Sequence, residues 1–153
     1  MNEIVMVAGI PGSGKSTWIK QQISKKGGVH ISRDEVRFSI LKDNDEYFAR
    51  EKEVFRTFIN KIQHEIDTGD LKTIYVDATH LNRKSRAKVL NQLKLDDTIV
   101  EMVWFDVPLK TCIARNNQRT GRARVPEETI ADMFLSSSVP TEDEAKIIKI
   151  IKW

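Results

Sequence analysis

The sequence predicts an α/β domain of three layers, a parallel sheet of about five strands with helices on both faces. Short apolar runs alternate with amphipathic stretches along the chain, the pattern of repeated βαβ units. A glycine-rich turn joins the first apolar run to the first helical stretch. No internal repeat, low-complexity tract or Pro/Gly/Ser-rich linker divides the 153 residues, so residues 1–153 read as a single domain. A chain of this length buries roughly 68–70% of its unfolded surface and needs no disulfide or structural metal.

The elements follow in order. Residues 4–8 form a buried strand, and residues 15–25 suit a helix that Gly27 and Gly28 terminate. Residues 29–32 are a second short strand. A helix begins near Asp34, and a longer one ends near Gly69. Phe48, Val54, Phe55, Phe58, Ile59, Ile62 and Ile66 draw its apolar face at spacings of three and four. Residues 73–76 are a third strand, closed by Asp77. Residues 83–93 are helical, and residues 99–105 form a fourth strand. Residues 109–119 are helical again, and Pro126 opens a helix over 126–135. The stretch 146–151 fits either period, but its isoleucines favour a last strand. In a parallel sheet of this kind the ligand sits beyond the C-terminal strand ends.

Composition narrows the setting. One cysteine, Cys112, cannot form an internal disulfide, and no Cys/His cluster has zinc spacing. A reducing cytoplasm is the expected location. The first apolar run carries Glu3 instead of a basic leader and is far shorter than the ~20 residues that cross a bilayer. Neither secretion nor membrane spanning is expected. Lys and Arg number 25 against 22 Asp and Glu, a net +3, which permits a polyanionic partner without demanding one.

Residues 9–17, Gly-Ile-Pro-Gly-Ser-Gly-Lys-Ser-Thr, match G-x-x-x-x-G-K-S/T between a strand and a helix. Glycines let backbone N–H groups wrap phosphates, and the helix N-terminus adds positive potential. Gly9, Pro11, Gly12, Ser13, Gly14, Lys15, Ser16 and Thr17 are therefore the nucleotide-holding candidates. Lys15 would reach the β- and γ-phosphates, and the Ser16 hydroxyl would ligate Mg²⁺. No Asn-Lys-x-Asp segment that reads guanine is present.

A kinase also needs an acceptor site. Asp34, after the second strand, is either the base for an acceptor hydroxyl or the cap of the next helix. Arg37, one turn on, either holds an anionic group or is a solvated surface residue. Asp77 stands where a metal-supporting Walker B acid would, a place that turn chemistry also fills. Lys110, Arg115, Arg119, Arg122 and Arg124 run without an intervening acid. They make either a mobile lid over the polyphosphate or a basic surface helix. His30 and His64 have no ligand partner at useful spacing, and His80 lacks a second clear metal ligand. Trp18, Trp104 and Cys112 read as packing residues.

The segments GIPGSGKSTW, ISRDEVRFSI, DEYFAREKE, YVDATHLNRKSR and WFDVPLKTCIARNNQRTGRARVP resemble, in this order, the 5′-kinase domain of bacteriophage-type polynucleotide kinases. That is an AAA-type ATP-binding domain of the P-loop kinase superfamily. The resemblance implies a three-layer P-loop kinase fold with an arginine-bearing lid, and ATP and Mg²⁺ as donor and cofactor. The acceptor it implies is a 5′-hydroxyl nucleic acid end. Asp34 would be the general base and Arg37 would grip the adjacent 3′-phosphate. Asp77 would support the site, Arg115 and Arg119 would clamp the donor phosphates, and Lys15 and Arg119 would act in transfer. The bifunctional phage enzymes also carry a phosphatase domain with a DxDGT-type signature, which this sequence lacks. A kinase for a small metabolite, nucleoside or sugar is the alternative, since one scaffold serves many acceptors.

Overall fold

The computed structural model describes residues 2–152. In chain order the elements are β1 (Asn2–Ala8), α1 (Lys15–Lys26), β2 (Val29–Ser32), α2 (Arg33–Ile40), α3 (Glu51–Asp67) and β3 (Thr73–Asp77). Then follow α4 (Arg83–Asn91), β4 (Thr98–Asp106), α5 (Leu109–Asn117), a 3₁₀ turn (Gly121–Ala123), α6 (Glu127–Ser136) and β5 (Ile147–Lys152). All five strands are parallel, ordered β2-β3-β1-β4-β5.

Period-two alternation builds the three layers. From β1, Ile4 and Met6 face one way, joined by Ile74, Val76 and Met102, and are covered by Val54, Phe58 and Ile62 of α3 and Val89 of α4. Val5 and Val7 face the other way with Tyr75, Val103 and Phe105, beneath Ile19 of α1, Cys112 of α5 and Ile130 of α6. Trp18 packs edge-on against Tyr75 and Phe105, at 6.1 and 5.9 Å. Cys112 is fully buried and Trp104 nearly so, as their packing roles require.

Register then places the chemistry. Val7 of β1 and Ser32 of β2 both pair with Asp77 of β3, so three strand ends meet at one edge. On the α4 side, Arg86 is buried. It forms a two-pronged pair with Glu144 at 2.8 and 3.2 Å and donates to the carbonyls of His80 and Ser138 at 2.9 Å. That arginine fastens the segment leading to β5 onto the loop after β3.

Three expectations need correction. Phe48 lies ahead of α3, which starts at Glu51, and is 49% exposed. Its helical spacing to Val54 and Phe55 was coincidental, because residues 42–50 turn irregularly around Asp45. Asp34 does not cap α2: the Ser32 hydroxyl does, accepting from the Glu35 amide at 3.2 Å. The helix containing Arg115 stops at Asn117 and leaves Arg119 in the following loop. Among the described residues, no helix is long and apolar enough to cross a membrane.

Candidate active site

The β1–α1 loop holds its shape through its glycines. Gly12 and Gly14 have φ of +84° and +97°, the left-handed region that side chains resist. A Cβ on Gly12 would lie 2.3 Å from the Cys112 carbonyl oxygen, so the loop rests directly on α5. Arg115 reinforces this seat, its Nη1 donating to the Gly12 carbonyl at 3.3 Å. The Gly9 amide donates to Thr79 at 3.0 Å, tying the loop to the exit of β3. Ser13 is buried under the loop, while Ser16 and Thr17 stand exposed on the first turn of α1. The first amides of that helix have no intrahelical acceptor and remain for an anion.

Lys15 Nζ folds back over the loop, 3.4 Å from the Ile10 carbonyl. Burial lowers its pKa below the ordinary lysine value, against the pull of Asp77 and Asp34. Ser16 Oγ donates to Asp77 Oδ2 at 2.8 Å. The same oxygen lies 2.9 Å from His30 Nε2. Burial alone would raise the pKa of Asp77, but hydrogen bonds from His30 and Ser16 and the charge of Lys15 hold it below the usual carboxylate range. An ionised carboxylate only accepts, so His30 Nε2 carries the hydrogen.

Asp34 is exposed on the first turn of α2. Its Oδ1 accepts from the Tyr47 hydroxyl at 2.5 Å and from Arg37 Nη1. Both of these bonds fall on Oδ1, and Asp34 lines the cleft of the site. Arg37 is 5% exposed in its side chain. It donates to Asp34, to Tyr47 Oη at 2.9 Å and three times to Glu51 at 2.8–3.1 Å. These bonds engage all three guanidinium nitrogens. Arg33 also reaches Glu51, at 3.1 Å, yet its buried Nε has no partner among the described residues. Burial and then the Asp34 charge push the Tyr47 pKa far upward, so its phenol stays a donor.

One cleft of about 460 Å³ gathers Pro11, Lys15, Ser16, Asp34, Arg37, Asp77 and Arg119, together with Arg33, Tyr47, Phe48 and Glu51. A cavity of about 440 Å³ between β2 and α3 holds none of the expected residues. Arg122 turns away to the Leu41 carbonyl at 3.4 Å, and Arg124 to Asn117 at 3.5 Å. Asn116, fully buried, clamps Val125 through both amide atoms at 2.6 and 2.9 Å and so closes the arginine loop. His30, expected to have no partner at useful spacing, meets Asp77 instead, and Arg33, Tyr47 and Glu51 join the cleft without having been candidates. Only His30 left a signal, its place on the short strand that ends beside Asp77.

The cradle suits a polyphosphate: left-handed glycines, an open helix N-terminus, Lys15 and Arg119 on one side. The Ser16 and Asp77 oxygens, already in contact, suit a hard divalent cation that phosphate and water would complete. Strand order, loop and lysine together define a P-loop α/β protein of kinase fold. The chain belongs to the AAA domain family, which matches it over residues 4–140, and ATP binding is implied by that family and fold.

Solved structures agree on the fold. An unliganded sugar kinase from Janibacter sp. HTCC2649 superposes with a TM-score of 0.70 at 19% identity, covering 99% of this chain and 86% of that one. The Pnkp1/Rnl/Hen1 RNA repair complex gives 0.70 at 18% identity, over 88% of this chain and 43% of the matched chain. This chain thus spans less than half of that protein. Kti12 from Chaetomium thermophilum, in complex with ADP-AlF3, gives 0.65 at 14% identity, over 98% and 89%.

Proposed function

We propose that this protein transfers the γ-phosphate of ATP to the 5′-hydroxyl of a nucleic acid end. The observation that carries the reading is Asp34, with one free carboxylate oxygen, in the same cleft as Lys15, Ser16 and Arg119. The acceptor hydroxyl would donate to Asp34 Oδ2, which takes its proton as the oxygen attacks Pγ. The new O–P bond forms, the bond from Pγ to the β–γ bridging oxygen breaks, and ADP leaves. Lys15, the loop amides and Arg119 oppose the charge that gathers on the transferring group. Mg²⁺, held by Ser16 and directly or through water by Asp77, would neutralise phosphate oxygens. Arg37 and Tyr47 hold the base in place from its other oxygen.

A small-molecule acceptor is the second reading. It is favoured by the engagement of all three Arg37 guanidinium nitrogens inside the protein, with the side chain only 5% exposed, which leaves that arginine little to offer an acceptor phosphate. The likeness to a sugar kinase is consistent with it.

Incubation with Mg²⁺ and γ-labelled ATP, offering 5′-hydroxyl DNA, RNA, 3′-nucleotides and sugars, separates the two. Label on 5′ ends, weakened by salt and lost in Asp34→Asn while ATP still binds, supports the nucleic acid reading. Label confined to a small acceptor replaces it with the second.

A further inference from the structure

Phe48 stands on the wall of the acceptor cleft, half in water. Single exposed apolar side chains are ordinary on protein surfaces. This one is held in a stack. Its ring meets that of Tyr47 edge-to-face, with centroids 4.6 Å apart at 87°. Tyr47 lies over the Arg37 guanidinium at 4.2 Å and touches Phe38 at 6.2 Å. Arg37 Cζ is also 5.7 Å from the Phe48 centroid.

The turn that carries Phe48 is pinned as well. Asp45 Oδ2 accepts from the Lys42 amide at 2.9 Å and from Arg50 Nε at 3.1 Å, and the Ala49 amide donates to Glu46 at 3.0 Å. Phe48 is therefore a fixed aromatic ledge, one residue from the tyrosine that grips the base Asp34.

A flat apolar face beside a catalytic carboxylate selects for a flat ligand face. A planar nucleobase can lie flat on such a ring over its whole face, and base–aromatic stacking favours binding. All three Arg37 nitrogens beneath are already bonded to Asp34, Tyr47 and Glu51, so what the ledge offers is a face rather than an edge-reading hydrogen bond. We infer that Phe48 is the stacking platform for the terminal nucleobase of the acceptor. This inference rests on the nucleic acid reading of the same cleft. It makes the presence of a base decisive and its identity secondary.

The test uses the full chain and two oligonucleotides alike except that one has an abasic 5′-terminal nucleoside. kcat/KM is measured with γ-labelled ATP for wild type, Phe48→Leu and Phe48→Trp, and the ATP Kd of each variant reports an intact fold. Wild type is expected to favour the base-bearing end by about tenfold or more. Phe48→Leu should bring that ratio close to one, chiefly through KM, and Phe48→Trp should keep it. A wild-type ratio near one, or a ratio unchanged in Phe48→Leu, overturns the platform and leaves 5′-end transfer standing. Failure to label either oligonucleotide while ATP binds removes the nucleic acid reading, and the platform with it.

Discussion

His30 Nε2 lies 2.9 Å from Asp77 Oδ2, the oxygen that also accepts from Ser16 at 2.8 Å. Two strands and the first turn of α1 are thus joined through one atom. If Asp77 supports Mg²⁺ as proposed, this is an outer hydrogen bond that orients a metal-supporting carboxylate, and the loss of such a bond typically costs about 10–100-fold in metal affinity. His30→Ala is expected to raise the Mg²⁺ concentration for half-maximal turnover by that order, with His30→Asn recovering part of it. A Mg²⁺ titration of turnover gives the answer, and an unmoved midpoint contradicts the role.

Tyr47→Phe removes one of the two hydrogen bonds on Asp34 Oδ1 and keeps the ring under Phe48. A hydrogen bond to a charged group contributes about 1.5–3 kcal/mol. A fall in kcat of about tenfold or more is expected, with the ATP Kd unchanged. Steady-state kinetics beside equilibrium ATP binding separates this from a folding defect, which would move both.

His80 should make stability depend on pH. Burial lowers its pKa from 6.5 to about 4. The unfolded chain takes up this proton near pH 6.5, the folded one only near pH 4. Between those values the unfolded state binds more protons, so stability falls as pH falls across the window. The shift corresponds to about 3 kcal/mol at most. His80 has φ of +43°, a conformation that asparagine tolerates. His80→Asn should flatten urea-unfolding stability between pH 6.5 and 4; an unchanged slope would sink the assignment.

Glu144→Gln tests the buried pair with Arg86. The arginine would keep its carbonyl partners but lose its counter-charge while 1% exposed. Breaking one side of such a pair costs about 3–5 kcal/mol. Urea midpoints should drop accordingly, and replacing both partners together, Arg86→Met with Glu144→Leu, should recover much of the loss.

Gly12→Ala sets a methyl 2.3 Å from the Cys112 carbonyl, in a left-handed backbone. Backbone lies on both sides of the collision, so the loop must leave α5. ATP affinity, read by calorimetry, should fall by at least about 100-fold, a loss of ~2.7 kcal/mol. Near-native affinity would show the seat to be unnecessary.

Much of the fold and of the site is legible in the sequence. Strands and helices announced themselves because their signals are local: apolar runs, period and caps. The phosphate loop is equally local. Lys15, Ser16, Asp34, Asp77 and Arg119 do meet in one cleft, since parallel strands deliver their C-terminal ends to one edge. Tyr47 and Glu51 escaped notice because an irregular turn brings them to Asp34 and Arg37, and irregular backbone has no period to read. Phe48 shows the opposite failure, where a spacing of helical length crossed a stretch that is not helix. The cap went to Ser32 because α2 begins at Arg33, two residues before a helix capped by Asp34 would begin.

Arg115 and Asn116 adjoin in α5, one bound to the phosphate loop and the other clamping Val125. Everything between that clamp's two ends, including Arg119, Arg122 and Arg124, is a closed span whose anchorage does not depend on its length. Doubling such a span adds only about 0.6 kcal/mol of closure entropy. The span that carries these arginines can therefore lengthen by insertion while the floor beneath stays as it is.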